Sequence, residues 1–148
     1  MYQLKRTQLV KTDLETCWKF FCAPGNLQAI TPEYMNFRVL TETPAEIYAG
    51  LMIAYKISPV LKLPLSWVTE ITVVEHRTYF VDEQRQGPYK IWHHEHHFKV
   101  VEEGVEMTDI VSYSLPFGFL GKFAHWLFVR KQLEQLFDYR FRKVEELF

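Results

Sequence analysis

The chain has 148 residues, 48% of them hydrophobic and 16% aromatic. That is enough for one domain with a substantial core and too apolar for a disordered chain. Seventeen basic against eighteen acidic residues give a formal net charge of −1, which excludes a general electrostatic attraction to nucleic acid or to anionic membranes.

Residues 2–10 alternate polar and apolar and read as a first strand, lacking the apolar run of a signal peptide. Thr12 opens a helix, Glu15 completes a capping box, and Leu14, Cys17, Trp18 and Phe21 form its apolar face. Cys17 and Cys22 point to different faces of that helix, so two free thiols are expected, as suits a reducing cytoplasm. Pro24 and Gly25 stop the helix. Asn26 caps a short second one that ends near Thr31, because Pro32 disfavours helical geometry before it.

Six segments then read as strands, at 37–42, 51–58, 65–75, 79–86, 89–102 and 105–115, rich in β-branched and aromatic residues. Pro44, Gly50, Ser58-Pro59, Gly87-Pro88 and Glu103-Gly104 punctuate them, which fits consecutive hairpins of an antiparallel meander with one buried face. After Pro116-Phe117-Gly118 the helical period returns. Trp126, Val129, Leu133, Leu136, Phe137, Val144 and Leu147 form its stripe, widened by Phe123, Leu127 and Phe141, with Gly121 marking a bend. The apolar stretch 115–129 is interrupted by Lys122 and His125 and falls short of the roughly 18 apolar residues of a spanning helix. It reads as a core element, so no stable membrane insertion is expected. The expected architecture is α+β: a seven-stranded antiparallel sheet wrapped around a long C-terminal helix, with two short helices after the first strand, in one domain over residues 1–148.

That order is joined by local motifs: Asn26-Leu27 followed by Thr31-Pro32, Gly87-Pro88-Tyr89, Trp92-x-His94-x-His96-x-Phe98, Met107-Thr108-Asp109 and Leu115-Pro116-Phe117-Gly118. Together they resemble the START/Bet v 1-like superfamily, also called SRPBCC or polyketide cyclase-like, and within it a bacterial branch of ligand-binding type. The resemblance covers essentially the whole chain and implies the helix-grip fold. Its members include lipid and hormone carriers, cyclases, dehydratases, hydrolase-like proteins and chaperone co-factors, so the fold does not by itself select an activity. Similar domains occur fused to nucleotide-sugar epimerase-like domains.

In a strand, His94 and His96 share a face with Trp92 and Phe98, while His93, Glu95 and His97 take the other. Asp109 has the parity of Met107, Val111 and Tyr113, and a hairpin near Glu103-Gly104 brings it opposite the histidine pair. Three readings stay open. The histidines and Asp109 form a network that satisfies buried polar groups, or the polar end of a ligand pocket, or an acid–base pair with Asp109 holding the tautomer. No nucleophile motif, oxyanion loop or second convergent carboxylate accompanies them. Two histidines plus Asp109 make three potential metal ligands, yet there is no HExxH helix, and no metal or cofactor is expected. The outer trio reads as a solvated face.

Tyr55, with Ile53 and Ile57, and Trp67, with Thr69, Ile71 and Val73, supply further inward positions. Their aromatic rings with polar tips suit a cavity lining as well as a core. Phe123, Trp126, Leu127 and Arg130 are expected to face the sheet near its open end, Arg130 meeting either an anionic group or a surface partner. The apolar loop 58–65 reads as a lid or as a segment tucked onto the helix. The binding set is therefore Tyr55, Trp67, Trp92, His94, His96, Phe98, Asp109, Tyr113, Phe123 and Leu127. The expected function is binding of a small hydrophobic or amphipathic molecule. The alternatives are a cyclase-, dehydratase- or isomerase-type enzyme using His94, His96 and Asp109, or a module that regulates a partner enzyme. A second copy of the chain and an epimerase-like protein stand as candidate partners.

Overall fold

A computed structural model describes residues 1–59 and 62–148. Strand β1 (Tyr2–Val10) leads into helix α1 (Leu14–Phe21), and two 3-10 turns follow, Pro24–Gln28 and Glu33–Met35. Then come β2 (Arg38–Val39), β3 (Met52–Ile57), β4 (Leu65–Glu75), β5 (Tyr79–Gln86), β6 (Ile91–Val101) and β7 (Gly104–Ser114). The chain closes with helix α2 (Gly118–Ala124), a π-helical turn (His125–Val129) and helix α3 (Arg130–Leu147). The seven strands form one antiparallel sheet in the order β1-β7-β6-β5-β4-β3-β2. The last strand thus turns back to pair with the first.

Local chemistry explains the boundaries. Asp13, not Thr12, caps α1: its carboxylate accepts from the Thr16 backbone N–H at 2.9 Å and from the Thr16 hydroxyl at 2.7 Å. A carboxylate at the N-terminus gains from the helix dipole what a hydroxyl would not. Asn26 lies inside a 3-10 turn rather than capping a helix, and its amide donates to the Phe20 carbonyl. Gly121 marks a close approach: a side chain there would run into the Pro116 carbonyl. Cys17 and Cys22 are free and buried, and burial pushes the Cys17 thiol up to about 12.

The π turn corrects the reading of the C-terminal face. Widening the helix over His125–Val129 shifts the phase of every residue beyond it relative to a straight 3.6-residue period. His125 and Val129 turn inward, while Trp126 (77% exposed), Phe123 (59%) and Leu127 (57%) turn to solvent. Leu133, Phe137 and Val144 then carry the buried stripe along α3. Arg130 faces outward and pairs with Glu134 at 3.1 Å. Among the described residues no helix is long and apolar enough to cross a membrane.

Two apolar clusters fill the space between sheet and helices. One packs α1 and the end of α3 on Phe80, Phe98, Val105 and Met107. The other joins Trp67, Trp92, Val111 and Tyr113 to Val129, Leu133 and Phe137. Along β6 and β7 the residues between them are His94, His96 and Asp109, all buried. The polar groups therefore sit on the seam where the two apolar clusters meet.

Candidate functional site: a polar seam on an apolar cavity

Strand register builds the polar group. Asp82 on β5 lies directly across from His94 on β6, and His96 lies across from Asp109 on β7. Diagonal reach across adjacent pairs lets each imidazole touch both carboxylates. His94 sets Nε2 2.9 Å from Asp109 Oδ1 and Nδ1 3.3 Å from Asp82 Oδ2. His96 sets Nε2 2.8 Å from Asp82 Oδ2 and Nδ1 3.0 Å from Asp109 Oδ1. The second of these His96 contacts lacks hydrogen-bond alignment, so His96 Nδ1 is buried with no hydrogen-bond partner among the described residues. The two rings lie 3.8 Å apart, and Phe80 stacks on His96 at 4.1 Å.

Asp82 is the convergent second carboxylate that the sequence reading lacked. Its signal was present in the β5 hairpin: Phe80, Asp82 and Gln84 share a parity, and a turn at Gly87-Pro88 aligns that parity with His94 and His96.

Burial by itself would raise both carboxyls, but the charge and hydrogen bonds of His94 and His96 hold Asp82 and Asp109 well below the usual carboxylate range. Burial would lower His94, yet the charge of Asp82 and the hydrogen bonds to Asp109 and Asp82 outweigh it and push the ring up to about 9. That shift favours the imidazolium form of His94, with Nε2 hydrogen-bonded to Asp109 and Nδ1 3.3 Å from the Asp82 carboxylate. The sign of the pH effect follows. His94 contributes stability fully below its unfolded value of 6.5, and that contribution is lost as pH rises through about 9. The carboxylates contribute above their unfolded value of 3.8 and lose that contribution as pH falls towards their depressed folded values. Chelator-treated protein is therefore expected to melt highest near pH 5–6 and lower at pH 9.5. A melting temperature that is flat from pH 6 to 10 would contradict the pairing.

Asp82, His94 and His96 form one wall of a cavity of about 290 Å³ between the sheet and α3. Most of its other walls are apolar or aromatic, among them Phe37, Tyr55, Trp67, Trp92, Leu133 and Phe137. Trp67 donates from Nε1 to the Thr69 hydroxyl at 3.1 Å, Tyr55 shares a 3.1 Å hydrogen bond with the same hydroxyl, and the Tyr55 and Trp67 rings stack at 5.9 Å. Thr69 thus satisfies both polar tips and leaves the ring faces as wall. Arg140 reaches the same cavity from α3, its guanidinium lying over the Phe137 ring at 5.1 Å. Its Nε is buried and has no hydrogen-bond partner among the described residues.

Of the ten residues expected at the site, Tyr55, Trp67, Trp92, His94 and His96 line the cavity. Asp109 and Tyr113 stand behind its wall, Asp109 holding the histidines and Tyr113 hydrogen-bonded to the buried His125 at 2.8 Å. Phe98 belongs to the other cluster, edge-on to Trp18 at 5.2 Å. Phe123 and Leu127 are solvent-exposed and outside the cavity: Phe123 lies just before the π turn and Leu127 within it, both out of phase with the buried stripe along α3. Arg140, Phe137 and Tyr89 line it without having been expected there. Arg140 and Phe137 lie three apart on α3 and so share a face. The outer trio is a half-exposed face of side-chain hydrogen bonds, His97 with Glu95 at 2.8 Å and His93 with Glu83 at 3.2 Å. In the loop 58–65, residues 60 and 61 lie outside the described residues. Pro59 and Leu65 line the cavity, and the Pro59 carbonyl accepts from the Gln132 amide, which ties the start of the loop to α3.

A seven-stranded antiparallel sheet closed by a C-terminal helix over an internal cavity defines the helix-grip, Bet v 1-like fold. No family model and no curated protein matches the chain. Solved structures do. A Mycobacterium smegmatis protein superposes with a TM-score of 0.72 at 13% identity, over 98% of this chain and 89% of that one. A major latex-like protein from Panax ginseng gives 0.66 at 11% identity over 98% and 95%. A nucleoside-diphosphate sugar epimerase from Corynebacterium glutamicum gives 0.65 at 18% identity, over 97% of this chain but 28% of that one. At these identities the likeness establishes the fold.

Proposed function

We propose that the protein binds a small amphipathic acid, its apolar body among Tyr55, Trp67, Trp92 and Leu133 and its anionic head towards Arg140 and the His94 side of the polar seam. The observation that carries this reading is Arg140 Nε, buried against an otherwise mostly apolar cavity with no hydrogen-bond partner among the described residues. A buried guanidinium donor without an acceptor is costly, and a carboxylate is the planar acceptor that fits it. Apolar walls with a few convergent polar groups are the general make-up of small-molecule sites. The two buried free thiols suit a reducing cytoplasm.

The test is a thermal-shift series with fatty acids, aromatic polyketides, sterols and isoprenoids, each acid paired with its alcohol. The acids are expected to raise the melting temperature more than the alcohols, and Trp67 and Trp92 emission is expected to shift. Arg140→Met should erase the preference for acid over alcohol. If no apolar compound stabilises the protein, the reading fails.

A second reading has one observation behind it. Asp82 supplies the second carboxylate that acid–base chemistry on His94 and His96 would need. It predicts that Asp82→Asn removes turnover of a cavity-bound substrate while the fold survives.

A further inference from the structure

The polar seam is arranged in two layers. Each imidazole has one nitrogen on Asp82, which lines the cavity, and its other nitrogen on Asp109, which does not. Both cavity-side nitrogens, His94 Nδ1 and His96 Nε2, approach the same oxygen, Asp82 Oδ2, at 3.3 and 2.8 Å. One donor atom from each of Asp82, His94 and His96 falls within 4.8 Å of the others. Four donors around an ion at bonds of about 2.1 Å are separated by about 3.4 Å; the His94 Nδ1–Asp82 Oδ2 separation of 3.3 Å already matches that, and the His96 Nε2–Asp82 Oδ2 separation of 2.8 Å would open by about 0.6 Å. Behind them, a single oxygen of Asp109 faces the remaining nitrogen of both rings at 2.9 and 3.0 Å.

We propose that Asp82 Oδ2, His94 Nδ1 and His96 Nε2 form a site for one divalent transition-metal ion, with Asp109 orienting both histidines from behind. Two imidazoles and one carboxylate on one side of an ion, with the other side open, are the donor set that zinc and ferrous sites use. A carboxylate on the far nitrogen of a ligating histidine is the usual second support of such sites, because it fixes the tautomer that leaves the ligating nitrogen bare.

Three further features bear on an ion in place of a plain ion-pair box. First, with a proton on His96 Nε2 facing Asp82, Nδ1 is left buried without a hydrogen bond. Coordination at Nε2 moves that proton to Nδ1, 3.0 Å from Asp109, where a rotation of the ring would bring it into hydrogen-bond alignment. Second, charge permits the exchange: a dication with two neutral imidazoles and two carboxylates is as neutral as two imidazoliums with two carboxylates. Third, Asp82, His94 and His96 all line the cavity, so the open coordination positions face it, ready for an oxygen donor. That Asp82 is the third ligand, with Asp109 as the support behind, revises the set that the sequence offered. The role of the open position in gripping a ligand head rests on the ligand-binding reading. Metal binding itself does not.

Untagged protein stripped with chelator and titrated with cobalt and zinc tests the site without any organic ligand. The expected result is binding of one ion per chain, with visible Co²⁺ absorbance, a raised melting temperature in Zn²⁺ and a release of protons that makes affinity rise with pH. Asp82→Asn and His96→Gln are expected to abolish it, and Asp109→Asn to weaken it 10- to 100-fold. The outer-face double variant His93→Gln/His97→Gln is expected to leave it unchanged. Where a seam variant fails to fold, ring nitrogen NMR shifts of His94 and His96 in the wild type report the same event: Zn²⁺ moves them under the proposal and leaves them in place otherwise. Absence of one-to-one binding at micromolar metal overturns the proposal, and so does binding that survives His96→Gln but is lost in the outer-face variant.

Discussion

Truncating Asp109 to alanine is expected to lower the unfolding free energy of the metal-free protein by about 3–5 kcal/mol, the range for removing one partner of a buried ion pair. One of its oxygens serves both histidines, at 2.9 and 3.0 Å, and it is 9% exposed, so no water replaces it easily. The His94 imidazolium would keep only Asp82 as a counter-charge. Asp109→Asn should cost less, since its amide oxygen still accepts from His94 Nε2. Urea unfolding followed by circular dichroism measures both. A loss below about 1 kcal/mol for the alanine variant would show that the four side chains do not act as a coupled unit. Replacing all four by apolar residues of similar volume is expected to be neutral or stabilising. A neutral or stabilising result would leave contact with the cavity, rather than stability, as the role of the seam.

Much of this was legible in one sequence because strands declare themselves by period. The 65–75 and 79–86 segments match β4 and β5 residue for residue, and β6 and β7 differ from expectation only at their ends. Register across a single tight hairpin was equally readable, and so His96 meets Asp109 as parity required. The C-terminal helix resisted for a specific reason. A hydrophobic stripe has a phase only if the helix keeps one pitch, and the π turn at His125–Val129 breaks it. Composition around Phe123 and Leu127 is as apolar as a core, which no pattern of 3.6 distinguishes from an exposed face. Arg140 was hidden differently: a basic residue near a helix C-terminus has an ordinary explanation in the helix dipole. Only the cavity beside it shows that the guanidinium turns inward.

Phe137→Ala is the second variant with a large expected effect, a loss of about 3–5 kcal/mol. The ring is 3% exposed and is held between unlike neighbours: the edge of His94 at 5.6 Å, the Arg140 guanidinium at 5.1 Å and the apolar cluster under α3. It also forms part of the cavity wall. One side of the ring already faces open space, so fewer contacts disappear than in a solid core, and the loss should fall towards 3 kcal/mol, the lower end of that range. The vacated volume joins the cavity instead of collapsing, because β6 and α3 are fixed by the sheet and by the clusters on either side of the seam. A small apolar compound such as benzene should therefore restore part of the lost melting temperature in the variant, and raise it by more than it raises that of the wild type. Benzene-independent melting, or a loss under about 1 kcal/mol, would mean that α3 closes onto the sheet when the ring is removed. The cavity would then be held open by Phe137 alone, and its volume would be a property of one side chain rather than of the fold.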